Sequence, residues 1–192
     1  MNKPEKYERL MEAALKEFSQ RSFDEASMNS ILKHAGVSKG VFYYHFQNKM
    51  ALYMQIVEKA SELKWEFIGS QLSGDVSNDA SIFELFCQQA RAGIRFAEQF
   101  PEYHQLAHML VLERNPEIRA YLDAATANSG RLEALIDWAQ KKGDFSSEYT
   151  TSFLTSVIGY LFAHFHDVFP DEQDAYKNLD AYISMMKNGL GS

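Results

Sequence analysis

The run Ala35-Gly36-Val37-Ser38-Lys39-Gly40-Val41-Phe42-Tyr43-Tyr44-His45-Phe46 constrains this chain more than any other stretch. Gly36 suits the left-handed residue that ends a helix, because glycine alone enters that conformation without a Cβ penalty. Val37 points inward and pins the turn. Ser38 is a good N-cap for the helix that follows. Val37, Phe42 and Phe46 are the expected buried positions. The remaining ones, Lys39, Gly40, Val41, Tyr43, Tyr44 and His45, make an unusual surface for water. A short helix that turns Lys, Tyr and His outward beside a glycine suits close approach to a nucleic-acid backbone.

The flanks carry the same pattern. Ala13-Ala14, Phe18, Phe23, Ser27, Ile31, the run Ala35 to Phe46, Lys49 and Leu52 fall in the order and spacing of a known domain. On these residues, positions 5–52 resemble the N-terminal DNA-binding domain of the TetR family of bacterial transcriptional regulators. Two departures are visible. Arg21-Ser22 stands where the family usually has a glycine between the first two helices, and Ile31-Leu32 where it usually has Ile-Ala.

The charge balance looks wrong for such a partner until it is divided. The chain has 192 residues and a formal charge of −7. Residues 1–50 hold eight basic and six acidic residues, and residues 51–192 hold eleven and twenty. From Ala26 to Lys49 there is no acid, against Lys33, Lys39 and Lys49. The motif is therefore locally basic, and the acidic remainder discourages non-specific contact elsewhere.

The periodicity is helical throughout. It predicts an all-α chain of about nine helices, near 4–20, 27–35, 38–44, 48–72, 79–99, 101–112, 115–142, 146–168 and 171–188. A break near Asn128-Ser129-Gly130 is marked inside the seventh. Ser73-Gly74-Asp75-Val76-Ser77-Asn78-Asp79 reads as a loop, and Phe169-Pro170-Asp171 separates the last two helices. The expected organisation is a three-helix head over 1–47 and a helical ligand-binding and dimerisation domain over 48–192.

The uncharged stretch Tyr149 to His166 approaches the minimum length of a membrane span, but its Thr, Ser and His residues favour a buried helix instead. The segment is apolar nearly all round, so it needs cover on more than one side. A partner subunit could supply part of that cover, together with Tyr176, Leu179, Tyr182, Ile183 and Met186 of the last helix; a central core helix in a monomer fits the pattern alone as well. The N-terminus has no apolar signal segment. The single cysteine, Cys87, cannot form an intramolecular disulfide, which suits a reducing cytosol.

The resemblance implies that the third helix enters the major groove of duplex DNA. Lys39, Gly40, Val41, Tyr44 and His45 are then candidates for base edges, and Ser38, Tyr43 and Lys49 for phosphates. Ser27 can bond phosphate or serve only as an N-cap, and Asn29 can reach a base or phosphate or lie idle on the surface. The resemblance also implies a homodimer on a palindromic operator. The inducer would be a small hydrophobic molecule among the aromatic and methionine side chains of 79–168, such as Met109 and Trp138. A regulator without inducer is the alternative, and an all-α enzyme or metal-binding protein a remote one. His104 and His108 share a helix face at the i, i+4 spacing of metal ligands, but no second ligand cluster accompanies them. There is no phosphate-binding glycine loop and no nucleophile elbow. Neither catalysis, a metal nor a cofactor is expected, and the expected location is the cytoplasm.

Overall fold

Residues able to cap and to break helices set the boundaries in the computed structural model, which describes residues 3–72, 80–169 and 174–192. Eleven helices occur among them: α1 (Lys3–Gln20), α2 (Met28–Ala35), α3 (Lys39–His45), α4 (Lys49–Leu72), α5 (Ile82–Gln99), α6 (Pro101–Leu112), α7 (Pro116–Ser129), α8 (Arg131–Lys142), α9 (Thr151–Ala163), α10 (Phe165–Val168) and α11 (Ala175–Leu190). The described residues contain no strand, only an isolated bridge between Phe145 and Gly191.

The all-α class holds, but the count exceeds the expected nine for two local reasons. Gly130 adopts φ +49° and divides the segment 115–142 into α7 and α8. Farther on, the expected helix 146–168 starts late and is interrupted. The amide of Ser146 is committed to the carbonyl of Leu190 at 2.9 Å, so the chain stays non-helical until Thr150. The Thr150 hydroxyl then accepts from the Phe153 amide and caps α9. At His164 the backbone leaves helical geometry (φ −105°, ψ 12°), and α10 is a separate short turn. The expected loop 73–79 and the Pro170-Asp171 separator lie outside the described residues. No described helix is long and apolar enough to cross a membrane.

The chain folds into two compact units, Met1–Phe67 with Phe96–Arg119, and Ile68–Arg95 with Ala120–Ser192. In the first unit, the buried stripe Leu10, Met11, Ala14, Leu15 and Phe18 of α1 meets α2 and α6. Tyr53 closes this core: its ring makes edge-on contacts with Phe18 at 4.8 Å and Phe23 at 5.1 Å between centroids. Beyond it, Phe67 meets Phe96 and Phe100 edge-on.

In the second unit, Ile82, Phe83, Phe86, Ile136, Leu154, Ile158, Leu179 and Ile183 form the core. Ser81 and Glu84 form a reciprocal capping box at the start of α5. The Ser81 amide donates to the Glu84 carboxylate at 2.8 Å, and the Glu84 amide to the Ser81 hydroxyl at 3.3 Å.

One buried carboxylate organises the first unit. Glu113, only 7% exposed, accepts the Phe23 amide at 3.1 Å through one oxygen. Its other oxygen accepts the amides of Arg114 and Asn115, both at 2.8 Å. Asn115 then caps α7 through the amides of Glu117 and Ile118, and its side-chain amide donates to Asp24 at 3.0 Å. The loop after α1 is thereby fastened to the turn between α6 and α7. Truncating Glu113→Ala strands three amides, each costing about 1–3 kcal/mol where it cannot find water. Urea denaturation is expected to show a loss of about 2–3 kcal/mol, part of it recovered in Glu113→Gln, whose carbonyl oxygen still accepts.

Candidate nucleic-acid interface

The corner between α2 and α3 is built by backbone chemistry. Gly36 takes φ +63°, and its amide and that of Val37 close the end of α2 onto the carbonyls of Lys33 and Leu32. A Cβ at Gly36 would stand 2.9 Å from an Arg9 guanidinium nitrogen, so both the conformation and the space favour glycine. Ser38 is extended (φ −80°, ψ 160°), and its hydroxyl oxygen accepts the Val41 amide at 3.4 Å. Its hydroxyl proton stays free to donate.

Burial then decides which side of α3 faces outward. Phe42 and Phe46 are buried and Val37 is half-buried. Lys39 and Gly40 are exposed; Tyr43 and Tyr44 are 65% and 68% exposed. Two large aromatic rings left in water on one short helix are costly unless something covers them. Val41 is half-buried at the edge of this surface. Around Gly40 a Cβ would meet only the Ser38 hydroxyl, at 3.7 Å, so the backbone there is open to close approach.

His45 and Lys49 stand differently. His45 is half-buried, with its ring 5.2 Å from Tyr7 and 4.9 Å from Tyr44, so α1 and α3 share it. Lys49 is half-buried at the start of α4, and its ammonium sits 4.6 Å above the Phe23 ring and 3.5 Å from the Asp24 carbonyl. Desolvation pushes its pKa below the ordinary lysine value, against the opposing pull of Asp24, Glu17 and Glu113. Its charge is turned back onto the loop after α1.

Ser27 and Asn29 are both exposed at the start of α2. The Ser27 hydroxyl accepts the Ser30 amide at 3.3 Å, the N-cap geometry. Sequence reasoning missed the residue that orders this end. Glu17, 10% exposed at its side chain, accepts the Ser27 amide at 2.9 Å and the Ser30 hydroxyl at 2.8 Å, with Arg21 at 3.5 Å. A carboxylate ten residues before the amide it binds leaves no local signal.

A second concavity lies in the other unit. It is a cleft of about 220 Å³ lined by Gln71, Leu72, Gln88, Arg91 and Arg95. Arg91 pairs with both oxygens of Asp180 at 2.7 and 2.8 Å, and Arg95 donates to Gln71 at 3.1 Å. The cleft is polar, unlike the apolar pocket expected for 79–168. Cys87 lies beside it, with its thiol 3.4 Å from Asp180 and its pKa raised by desolvation. His104 and His108 are both half-buried on α6.

The Glu17 contacts carry a pH signature. Partial desolvation raises its pKa, but the bonds from Ser27 and Ser30 and the Arg21 charge outweigh it, so the net value lies below 4.5. A carboxyl depressed by folding stabilises the native state above its unfolded pKa and loses that contribution as pH falls through the folded value. Wild type is therefore expected to exceed Glu17→Gln in thermal stability at pH 7, with the gap shrinking as pH drops below about 4.5. A gap independent of pH would exclude the charge as its source.

Comparison with known proteins agrees with this geometry. Residues 10–56 match the family model of bacterial regulatory proteins, tetR family. The HTH-type transcriptional regulator YvdT of Bacillus subtilis (strain 168) is 37% identical over 70 residues, 36% of this chain and 36% of that protein. The chain thus aligns with only about a third of YvdT's length. The HTH-type transcriptional repressor BepR of Brucella suis biovar 1 (strain 1330) is 23% identical over 160 residues, covering 79% of this chain and 74% of BepR. Among solved structures, a TetR family transcriptional regulator from Chloroflexus aurantiacus J-10-FL shares the fold, with a TM-score of 0.75 at 19% identity over 98% of this chain and 94% of that one. The glycine-cornered helix-turn-helix with its exposed outer face thus lies in a segment that matches the family model of bacterial regulatory proteins, tetR family, and the chain as a whole shares the fold of solved TetR family regulators.

Proposed function

We propose that this protein is a repressor that binds a palindromic operator as a homodimer and leaves it when a small molecule binds. The observation that carries the DNA-reading part is the exposed face of α3. Lys39, Gly40, Val41 and Tyr44 occupy the positions for base edges: lysine donates to guanine acceptors and Val41 packs on a thymine methyl. His45 joins them only through the edge that Tyr7 leaves uncovered. Ser38 and Tyr43 donate hydroxyl protons to phosphates, as does Ser27 at the start of α2, and the side-chain amide of Asn29 donates N–H to a phosphate or a base edge. Lys49 adds a phosphate contact by leaving the Phe23 ring. The functional division is a reading head over 1–47 and an effector and dimerisation domain over 48–192. BepR's name as a repressor supports the direction of regulation.

The dimer reading rests on α9 and α11. Phe153 and Tyr160 lie seven residues apart on one side of α9 and are 47% and 63% exposed, and Met185 of α11 is 56% exposed. A two-fold partner would cover them, and a two-fold pair of heads suits half-sites roughly 34–36 Å apart. Release by a ligand sets an energetic requirement: lowering operator affinity a hundredfold requires a preference of about 2.7 kcal/mol for the non-binding arrangement. Operator DNA must then weaken ligand binding by the same factor.

Selection from random duplexes is expected to enrich an inverted repeat. Tyr43→Ala should weaken binding to every enriched duplex by a similar factor, whereas Tyr44→Ala should change which bases are preferred. Enrichment of no inverted repeat would refute the operator reading. Light scattering at micromolar protein should give twice the 22.0 kDa chain mass. Tyr160→Glu, which places a charge where the partner would bury it, should give a monomer. A wild-type mass of one chain would refute the dimer.

A further inference from the structure

The polar cleft of the second unit is lined by two helix segments that both belong to that unit. Gln88, Arg91 and Arg95 follow one another on α5 at spacings of three and four, so they share one face of it. Gln71 and Leu72, in the last turn of α4, complete the lining. The cleft measures about 220 Å³, below the roughly 300–1,000 Å³ of sites that take drug-sized ligands. Its occupant is therefore small. The lining offers four polar side chains, none of them acidic, and one apolar one.

The two guanidinium groups are in different states. Arg91 is neutralised: one of its terminal nitrogens lies 2.7 and 2.8 Å from the two oxygens of Asp180. That hydrogen bonding holds the Asp180 carboxyl below its ordinary pKa, so it stays ionised at neutral pH. Arg95 is oriented without being neutralised. Its Nε donates to the Gln71 side-chain oxygen at 3.1 Å, and no carboxylate pairs with it among the described residues. A guanidinium fixed through Nε keeps its two terminal nitrogens for a planar acceptor. The half-buried Gln88 side chain, on the same face of α5, has no hydrogen-bond partner among the described residues. Two cations against the one carboxylate of Asp180 leave the cleft with a net positive charge.

From this geometry we propose that the cleft holds the carboxylate of a small polar acid on the terminal nitrogens of Arg95, with the Gln88 amide on the acid's polar substituent and Leu72 against its carbon skeleton. The proposal rests on the ligand-responsive reading above and deepens it by naming the effector's class and the residues that receive it. A guanidinium edge and a carboxylate match as a bidentate, charge-assisted pair, which a halide cannot form. The single net positive charge favours a monoanion, because a dianionic phosphate would bring its second charge towards Asp180. Gln71 acts through Arg95: it touches the guanidinium and sets the direction of the fork.

The test is calorimetric titration of the full-length protein with L-lactate, gluconate and 4-hydroxybenzoate, each against its uncharged amide, and with inorganic phosphate. One of the acids is expected to bind about tenfold or more tightly than its amide and than phosphate, the order of a charge-assisted hydrogen bond. R95M should abolish that preference. R95K, which keeps the charge and loses the fork, should bind the same acid about tenfold more weakly than wild type. Q88L should weaken it by a smaller factor, on the order of a neutral hydrogen bond. Saturation with the acid should lower affinity for the inverted repeat enriched by selection. Binding of no acid, or equal binding of each acid and its amide, overturns the site. Phosphate bound in preference to every acid overturns the carboxylate class. An undiminished preference in R95M, or wild-type affinity in R95K, overturns the Arg95 fork. An acid that binds as expected and leaves operator affinity unchanged overturns its role as effector. If the acids fail while a hydrophobic molecule releases the operator, the cleft falls and the ligand-responsive reading stands.

Discussion

The left-handed Gly36 is the constraint on which the reading surface depends. Its φ of +63° turns the chain within two residues, so that α3 begins at Lys39 directly after α2 ends at Ala35. With that corner set, Phe42 and Phe46 must go inward, because no other residues of α3 and its C-cap can fill the space beside α1 and α2. The outer side then falls to Lys39, Gly40, Tyr43 and Tyr44 by geometry. A side chain at position 36 would meet both the left-handed penalty and the Arg9 guanidinium. The same residue therefore explains how α3 is aimed and why its aromatic rings are left uncovered.

Glu113 extends this order beyond the helix-turn-helix. Its two oxygens hold the Phe23 amide on one side and the start of α7 on the other, and Asn115 adds a second tie to Asp24. The Lys49 ammonium and the Tyr53 ring close around Phe23, and the Tyr53 hydroxyl is pushed far above its ordinary pKa by desolvation and then by the Glu113 charge. The loop between α1 and α2 is thus held by the α6–α7 turn. A displacement of that turn must either carry the loop along or break these bonds. This is a concrete route by which events near α6 can alter how α2 and α3 are presented, within one compact unit.

What was legible in the sequence was local. Gly36, Ser38 and Ser27 act within four residues of themselves, and Pro101 and Gly143 mark their helix ends in the same way. What was not legible depends on distant partners. Glu113 reads as an ordinary acid after a helix, yet its contact with Phe23 spans ninety positions. The contacts of Lys49 with the Phe23 ring and of His45 with the Tyr7 ring likewise join residues far apart in the sequence. The late start of α9 depends on Leu190, at the far end of the chain. Gly130 was visible as a mark, but whether a glycine breaks or merely weakens a helix is decided by the conformation it adopts.

The central claim is that the exposed side of α3 is the surface that meets DNA. Amide hydrogen exchange of the whole protein, with and without a duplex it binds tightly, tests this most directly. The account predicts added protection concentrated at residues 38–45 and at the start of α2, with the core of the second unit unchanged. Protection that appears elsewhere and leaves 38–45 exchanging as in the free protein would contradict it.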